Sequence, residues 1–460
     1  MRSAYGAASV LPLIGWLMLT PVLAAGVSRG EAAVQVAATT ASGPIDRAAA
    51  AKIKHVFVII QEGHSFDNYF GTYPGVVGLG PQTSVPVSPK NAAAGRVSSH
   101  QLNSVRTAPL DNSVGSAITA FDGGAMDGFV AAQAFHAANG PLAMGYYTGT
   151  EIPYYWELAR NYVLADHFFS AALGGSVANH QYLVAAQSWS PALAGGSKLP
   201  TVPTIFNNLD SAGVSWGYFV AQYSAHLARG QQASLEPQVP VLGLSNIAGV
   251  KADAARIQDL SRLYSKLANG GVPAVSYVVQ PGNTEHAPGN VARGQVSTVG
   301  LINTIMRSRV WSSSAIFLTW SDWGGWYDQV APPHVDSAGD GFRVPLMVVS
   351  PYAKQGAILS QTADFSSILK FIESLYGLPA LTTRDQSAAS LTNAFSFTSP
   401  ARAPSPVSMG TLPATAVSHG SILIVLIAYG LPVAVFLFLL AYATGLWRPT
   451  WRVRTGWSKL

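Results

Sequence analysis

A near-continuous apolar run, Ile53, Val56, Phe57, Val58, Ile59 and Ile60, ends abruptly in Glu62, His64, Ser65, Asp67 and Asn68. Such a run is the pattern of a strand buried on both faces of an α/β sheet, which commits the chain to layers that cover those faces. In open α/β sheets, ligands and metals lie beyond the carboxyl ends of the strands, so a carboxylate at Glu62 is a candidate ligand or acid/base group. On residue types alone the cluster is equally a helix start, with Ser65 or Asp67 as the cap and Glu62 in solvent.

A second strand-like segment, Ala315 to Trp320, ends in Ser321 and Asp322 and then Asp328 and Gln329. Two separated strands delivering carboxylates to one sheet edge is what a metal site in this fold class needs. Trp323, Trp326 and Tyr327 read as packing for that loop. Between the two strands, Gly174 and Gly175 precede Ser176, with Asn179 and His180 one turn further on. A hydroxyl at a helix start is placed to attack an anionic ester, and it is also where an ordinary capping serine sits. Glu285 and His286 fall in a polar, turn-rich loop beyond the strand Ala274 to Val279.

The remaining periodicity alternates helix and strand. Helices are expected at Pro153 to Leu164, Thr204 to Ala212, Ala254 to Ala268, Val296 to Arg307 and Ser366 to Leu375, and strands at Val214 to Val220 and Arg343 to Val349. Residues 75 to 118 lack periodicity and read as a long surface excursion or lid.

Composition limits the chemistry. With no cysteine, disulfides, thiolate zinc sites and cysteine nucleophiles are excluded. Of the 27 Lys and Arg, Arg2, Arg448, Arg452, Arg454 and Lys459 lie near the termini, which leaves 22 cations against 22 acidic residues between them. That balance gives no electrostatic footprint for nucleic acid.

Residues 1 to 24 have the pattern of a secretory signal peptide, with an uncleaved anchor as the alternative, and 25 to 51 read as a flexible spacer. The folded domain is expected at 52 to 397, followed by a Pro/Ser-rich stalk at 398 to 418. Ile422 to Leu446 carries no charge and is long enough to cross a hydrocarbon core of about 30 Å. Trp447, Trp451 and the basic tail at 447 to 460 then place the C-terminus in the cytoplasm and the body outside, a single-pass protein of the cell membrane.

Several segments together resemble the bacterial phosphoesterases that include phosphatidylcholine-type phospholipase C and related acid phosphatases. They include EGHSFDNYFG at 62 to 71, IPYYWELA at 152 to 159, FFSAALGGSVANHQY at 168 to 182, TEH at 284 to 286, TWSDWGGWYDQVAPP at 319 to 333 and FRVPLMVVSPYAK at 342 to 354. The resemblance implies a three-layer α/β/α sandwich of alkaline-phosphatase type with a large, mostly parallel central sheet. It also implies metal-assisted attack by a hydroxyl on the phosphorus of a phospholipid head group or small phosphate ester. Matched residue by residue, Ser176 is the nucleophile, His286 a second catalytic group, and Glu62 and Asp322 ligands of a divalent metal. Asn179, His180 and His64 are candidates for substrate contact.

The chain departs from that pattern where it matters for a cation. Gly63 stands where the family has Asn, Ser321 where it has an acidic residue, and Gln329 where it has His. Hard cations want several oxygen ligands, so these losses raise a second reading, a surface protein of the same fold that binds ligand without turnover.

Overall fold

The computed structural model describes residues 43–410, apart from 135–138, 192 and 194–197. The expected signal peptide, most of the expected spacer, residues 411–418, the apolar segment 422–446 and the basic tail lie outside the described residues. Among the described residues no helix is long and apolar enough to cross a membrane.

The chain is α/β, built on a mixed sheet of eight strands among the described residues. In chain order these are β1 His55–Gln61, β2 Val163–Ala165, β3 Trp216–Val220 and β4 Ile257–Asp259. They continue as β5 Val275–Val279, β6 Ser314–Trp320, β7 Leu346–Val349 and β8 Ile358–Leu359. Across the sheet the order is β8-β2-β7-β6-β1-β5-β3-β4, and β7 alone runs against its neighbours.

The apolar run takes the centre of this sheet. Val56 to Ile60 are inaccessible on both faces because helices and loops cover each side. Helices Ser176–Ala185 and Phe365–Tyr376 pack on each other, as do Pro153–Asn161 and Val291–Arg307. β1 is flanked in parallel by β6 and β5, with Gln61 opposite Trp320 and Ile60 opposite Val279. That register fixes the site, since Glu62 and Ser321 become the first residues beyond two adjacent strand ends. The Ser321 amide donates to the Gln61 carbonyl at 2.8 Å, extending the ladder by one bond.

Some boundaries differ from expectation. Residues 47–52, across the end of the expected spacer, form a helix whose N-terminal amides are capped by Asp46. Its six residues, mostly alanine, are too few for a visible apolar stripe. Residues 398–410 are bound to the body: Asn303 exchanges two hydrogen bonds with the Val407 backbone, and Tyr154 donates to the Gly410 carbonyl. The helix expected from Ala254 is interrupted by the edge strand β4 and begins at Leu260, while Val163 and Leu164 leave their expected helix to form β2. Both strands have three residues, too short for periodicity to register.

Candidate active site

The site grows from the register of β1 and β6. Glu62 and Ser321 stand side by side, and the Ser321 hydroxyl donates to Glu62 Oε2 at 2.7 Å. The loops leaving these strands touch backbone to backbone: a Cβ at Gly324 would stand 1.9 Å from the Gly63 carbonyl oxygen. Gly324 has φ +64, which suits a residue without a side chain.

A third element arrives from the helix Ser176–Ala185. His180 donates from Nε2 to Glu62 Oε1 at 2.7 Å, so both Glu62 oxygens are engaged. Burial by itself raises the Glu62 carboxyl, but the charge and hydrogen bond of His180, the Ser321 donor and the charge of His286 outweigh it and hold the group below its ordinary value. Asp322 shifts the other way. Burial pushes it up and Glu62 repels it, while His286, the Asn112 amide and the Gly324 N–H pull against that. Asn112 donates to Asp322 Oδ1 at 3.0 Å and the Gly324 N–H to the same oxygen at 2.7 Å, while Ser321 Oγ lies 3.3 Å from Oδ2.

Ser176 is the first residue of its helix, after Gly175 at the cap position. It is half-buried, and its hydroxyl has no hydrogen bond to any described residue. Ser176 and His180 are four residues apart on one helix, so they face the same side one turn from each other. The preceding turn is tied to the acidic loop, because the Gly175 N–H donates to the Asn112 carbonyl at 2.8 Å and Asn112 in turn holds Asp322. Asn179 spends its amide within that turn, accepting from the Ala171 and Ala172 N–H groups and donating to the Ala172 and Gly175 carbonyls. It fixes the shape of the turn and has no free valence toward a ligand.

The His286 ring lies against Gly63, half-buried, with no side-chain hydrogen bond to a described residue. Its charge acts on both Glu62 and Asp322. The neighbouring Glu285 anchors its loop: Tyr155 donates to Oε1 at 2.6 Å, and Tyr69 and Trp320 donate to Oε2 at 2.8 and 2.9 Å. Burial pushes this carboxyl up to about 7 even against those three donors.

His64 belongs to this buried layer. Nδ1 faces Asn68 Oδ1 at 2.7 Å, Nε2 faces the Glu285 carbonyl at 3.0 Å, and the ring stacks 4.2 Å from Tyr69. Burial pushes its pKa down to about 3, and a neutral ring donates to one of the two acceptors at a time. Expected to contact substrate, it is a packing group beneath the site.

A second carboxylate pair lies deeper. Asp67 and Asp328, from the same two loops, are bridged by Arg343 Nη2 at 3.0 Å and Nε at 2.8 Å. Nη1 donates to the Val77 and Asp166 carbonyls, and the guanidinium lies over the Phe66 ring. Ser65 caps the helix Phe66–Phe70 by accepting from the Asn68 N–H.

The donor set answers whether these residues suit a divalent cation. Both Glu62 oxygens and Asp322 Oδ1 accept from N–H or O–H donors, while Asp322 Oδ2 has only the more distant Ser321 hydroxyl, whose proton goes to Glu62; among the described residues no three His, Asp or Glu side chains are grouped to hold a metal. With both Glu62 oxygens already engaged and so few acidic ligands grouped, the residues present do not fit the expected cation.

The model of the Phosphoesterase family matches residues 53–379, a span that contains every side chain of this network. Phospholipase C A of Mycobacterium tuberculosis is 28% identical over 412 residues, covering 76% of this chain and 78% of that protein. Non-hemolytic phospholipase C of Pseudomonas aeruginosa is 24% identical over 420 residues, covering 77% of this chain and 58% of that protein. Among solved structures, a protein of the alkaline phosphatase superfamily from Vibrio parahaemolyticus aligns with a TM-score of 0.38 at 12% identity, covering 73% of this chain and 70% of its own.

Proposed function

The chain belongs to the Phosphoesterase family, and from that premise we propose that it hydrolyses phosphate mono- or diesters outside the cell, as a phospholipase C or acid phosphatase does, with Ser176 as nucleophile. It is a hydrolase of phosphoric ester bonds. The observation that carries the reading is the convergence of Glu62, Ser321 and Asp322 from adjacent strand ends on His180, one turn along the helix that Ser176 begins.

In this reading the Ser176 oxygen attacks phosphorus, forming an Oγ–P bond as the P–O bond to the alcohol breaks. His286, whose ring has no hydrogen-bond partner among the described residues, passes the serine proton to the departing oxygen, and water then cleaves the phosphoserine. The amides at the start of the Ser176 helix face the developing charge on the phosphoryl oxygens. His180 is a positioning residue locked to Glu62, and the roles first given to Asn179 and His64 pass to the structure around them. The metal expected from the resemblance has no step in this mechanism.

The apolar segment 422–446 and the basic residues after it support anchoring in the cell membrane, with this site on the outer side and a lipid surface within reach. The coverage of both faces of the sheet supports the three-layer sandwich.

A second reading, a binding protein without turnover, draws on the same hydrogen bonds, since with Ser321 in place both Glu62 oxygens have donors without a cation. Hydrolysis of a chromogenic phosphomonoester and of a choline phosphodiester by the full-length chain separates the two. Turnover that falls by at least about 100-fold in Ser176→Ala supports the first reading. Equal rates remove Ser176 from the mechanism, and no turnover by either protein supports the second.

A further inference from the structure

Gly63 and Ser321, the two departures from the family pattern, do complementary work in this structure. At 321, a carboxylate in place of the hydroxyl would face Glu62 Oε2 across the 2.7 Å that Ser321 now spans. Two buried carboxylates at that separation need a cation or a shared proton between them. The serine removes that need by giving Glu62 a donor. At 63, the backbone has φ +61, and an added Cβ would stand 2.1 Å from His286 Nδ1 and 2.9 Å from its Cγ. The imidazole therefore occupies the space that a residue-63 side chain would take, and it acts on the same two carboxylates. One replacement removes the demand for a cation, and the other admits a ring carrying N–H donors.

Resting on the phosphoester reading above, we infer that this site binds the phosphoryl group through N–H donors, with His286 in the space beside Gly63, and that binding requires no divalent cation. The donors are the His286 ring and the amides that open the Ser176 helix. His180, 1% exposed, contributes order from below, with Nε2 on Glu62 and Nδ1 without a hydrogen-bond partner among the described residues. Gly63 and His286 form a linked pair, since neither position accepts a larger side chain at 63 while the ring is in place.

Calorimetric titration of the full-length chain with inorganic phosphate tests this, after dialysis against chelator and again with magnesium, calcium or zinc added. The expected affinity is the same within about twofold in all conditions, and His286→Ala weakens it by about tenfold or more in each. Gly63→Ala, whose methyl displaces the ring, loses binding to the same degree, with thermal melts reporting whether each variant is folded. Ser321→Asp makes binding depend on an added cation. Phosphate bound by the wild-type chain only when a cation is present overturns the inference and leaves the phosphoester reading standing. So does unchanged binding in a folded His286→Ala. No binding of phosphate under any condition overturns both.

Discussion

Glu62 with Asp322 and Asp67 with Asp328 are two carboxylate pairs built by the same two loops, and they are neutralised in different ways. The deeper pair is locked by Arg343, which is 0% exposed and spends the rest of its donors on the Val77 and Asp166 carbonyls. The outer pair is met by His180, Ser321, Asn112 and one backbone N–H, with the charge of His286 acting on both carboxylates. A guanidinium keeps its charge at all working pH values, so its cluster holds the loops together. Imidazoles and hydroxyls can both donate and accept hydrogen bonds, so a cluster made of them is suited to chemistry. The inner pair is scaffold for the outer one.

Breaking the inner lock gives the largest expected effect. Arg343→Met strands two buried carboxylates and should cost about 3–5 kcal/mol of folding stability, read from urea denaturation. If stability holds while turnover falls, the assignment of scaffold and site is reversed.

Next in size is a dependence on pH from Glu285, a buried carboxylate supported by neutral donors alone. Its folded value of about 7 lies above the ordinary 4.5. Between those values the folded chain holds a proton that the unfolded chain releases, so stability falls as pH rises from about 4.5 to about 7, by about 3 kcal/mol. Asp67, pushed up to about 8 by burial and by Asp328 against the pull of Arg343, acts in the same direction. Denaturation at pH 5 and pH 8 should show the loss, and Glu285→Gln should flatten it. A slope of opposite sign would contradict the account of this layer.

The smallest of the three is confined to the outer pair. Glu62→Gln keeps a side chain of the same shape for Ser321 and His180, so the melting temperature should barely move. Turnover should drop by about 100-fold, comparable to the loss of one fixed polar group at a transition state. A large loss of stability instead would place Glu62 with the scaffold.

Much of this arrangement was legible before any coordinates. β1, β5 and β6 are apolar strands, and Glu62, Ser321 and Asp322 follow directly on strand ends, with His286 in the loop after β5, where polar residues have few structural reasons to cluster. Ser176 and His180 were readable from helical spacing after paired glycines. Asn112 was not, because it lies in the unpatterned stretch from 75 to 118 and reaches Asp322 only through tertiary contact. Arg343 was also missed, since a lone arginine at a strand start reads as a surface charge and nothing local indicates two carboxylates 15 and 276 residues away. The same limit explains Asn179 and His64. Their residue types suggest ligand contact, while their hydrogen bonds, made to the backbone or to buried neighbours, give them to the fold.

The central claim is that Ser176 carries the phosphoryl group. Acid quenching of the full-length chain during turnover of a chromogenic phosphomonoester, followed by peptide mass mapping, tests it directly. The account predicts one phosphoryl group on the peptide containing Ser176, absent in Ser176→Ala together with turnover. Turnover by Ser176→Ala at the wild-type rate, with no phosphorylated peptide in either protein, would contradict it.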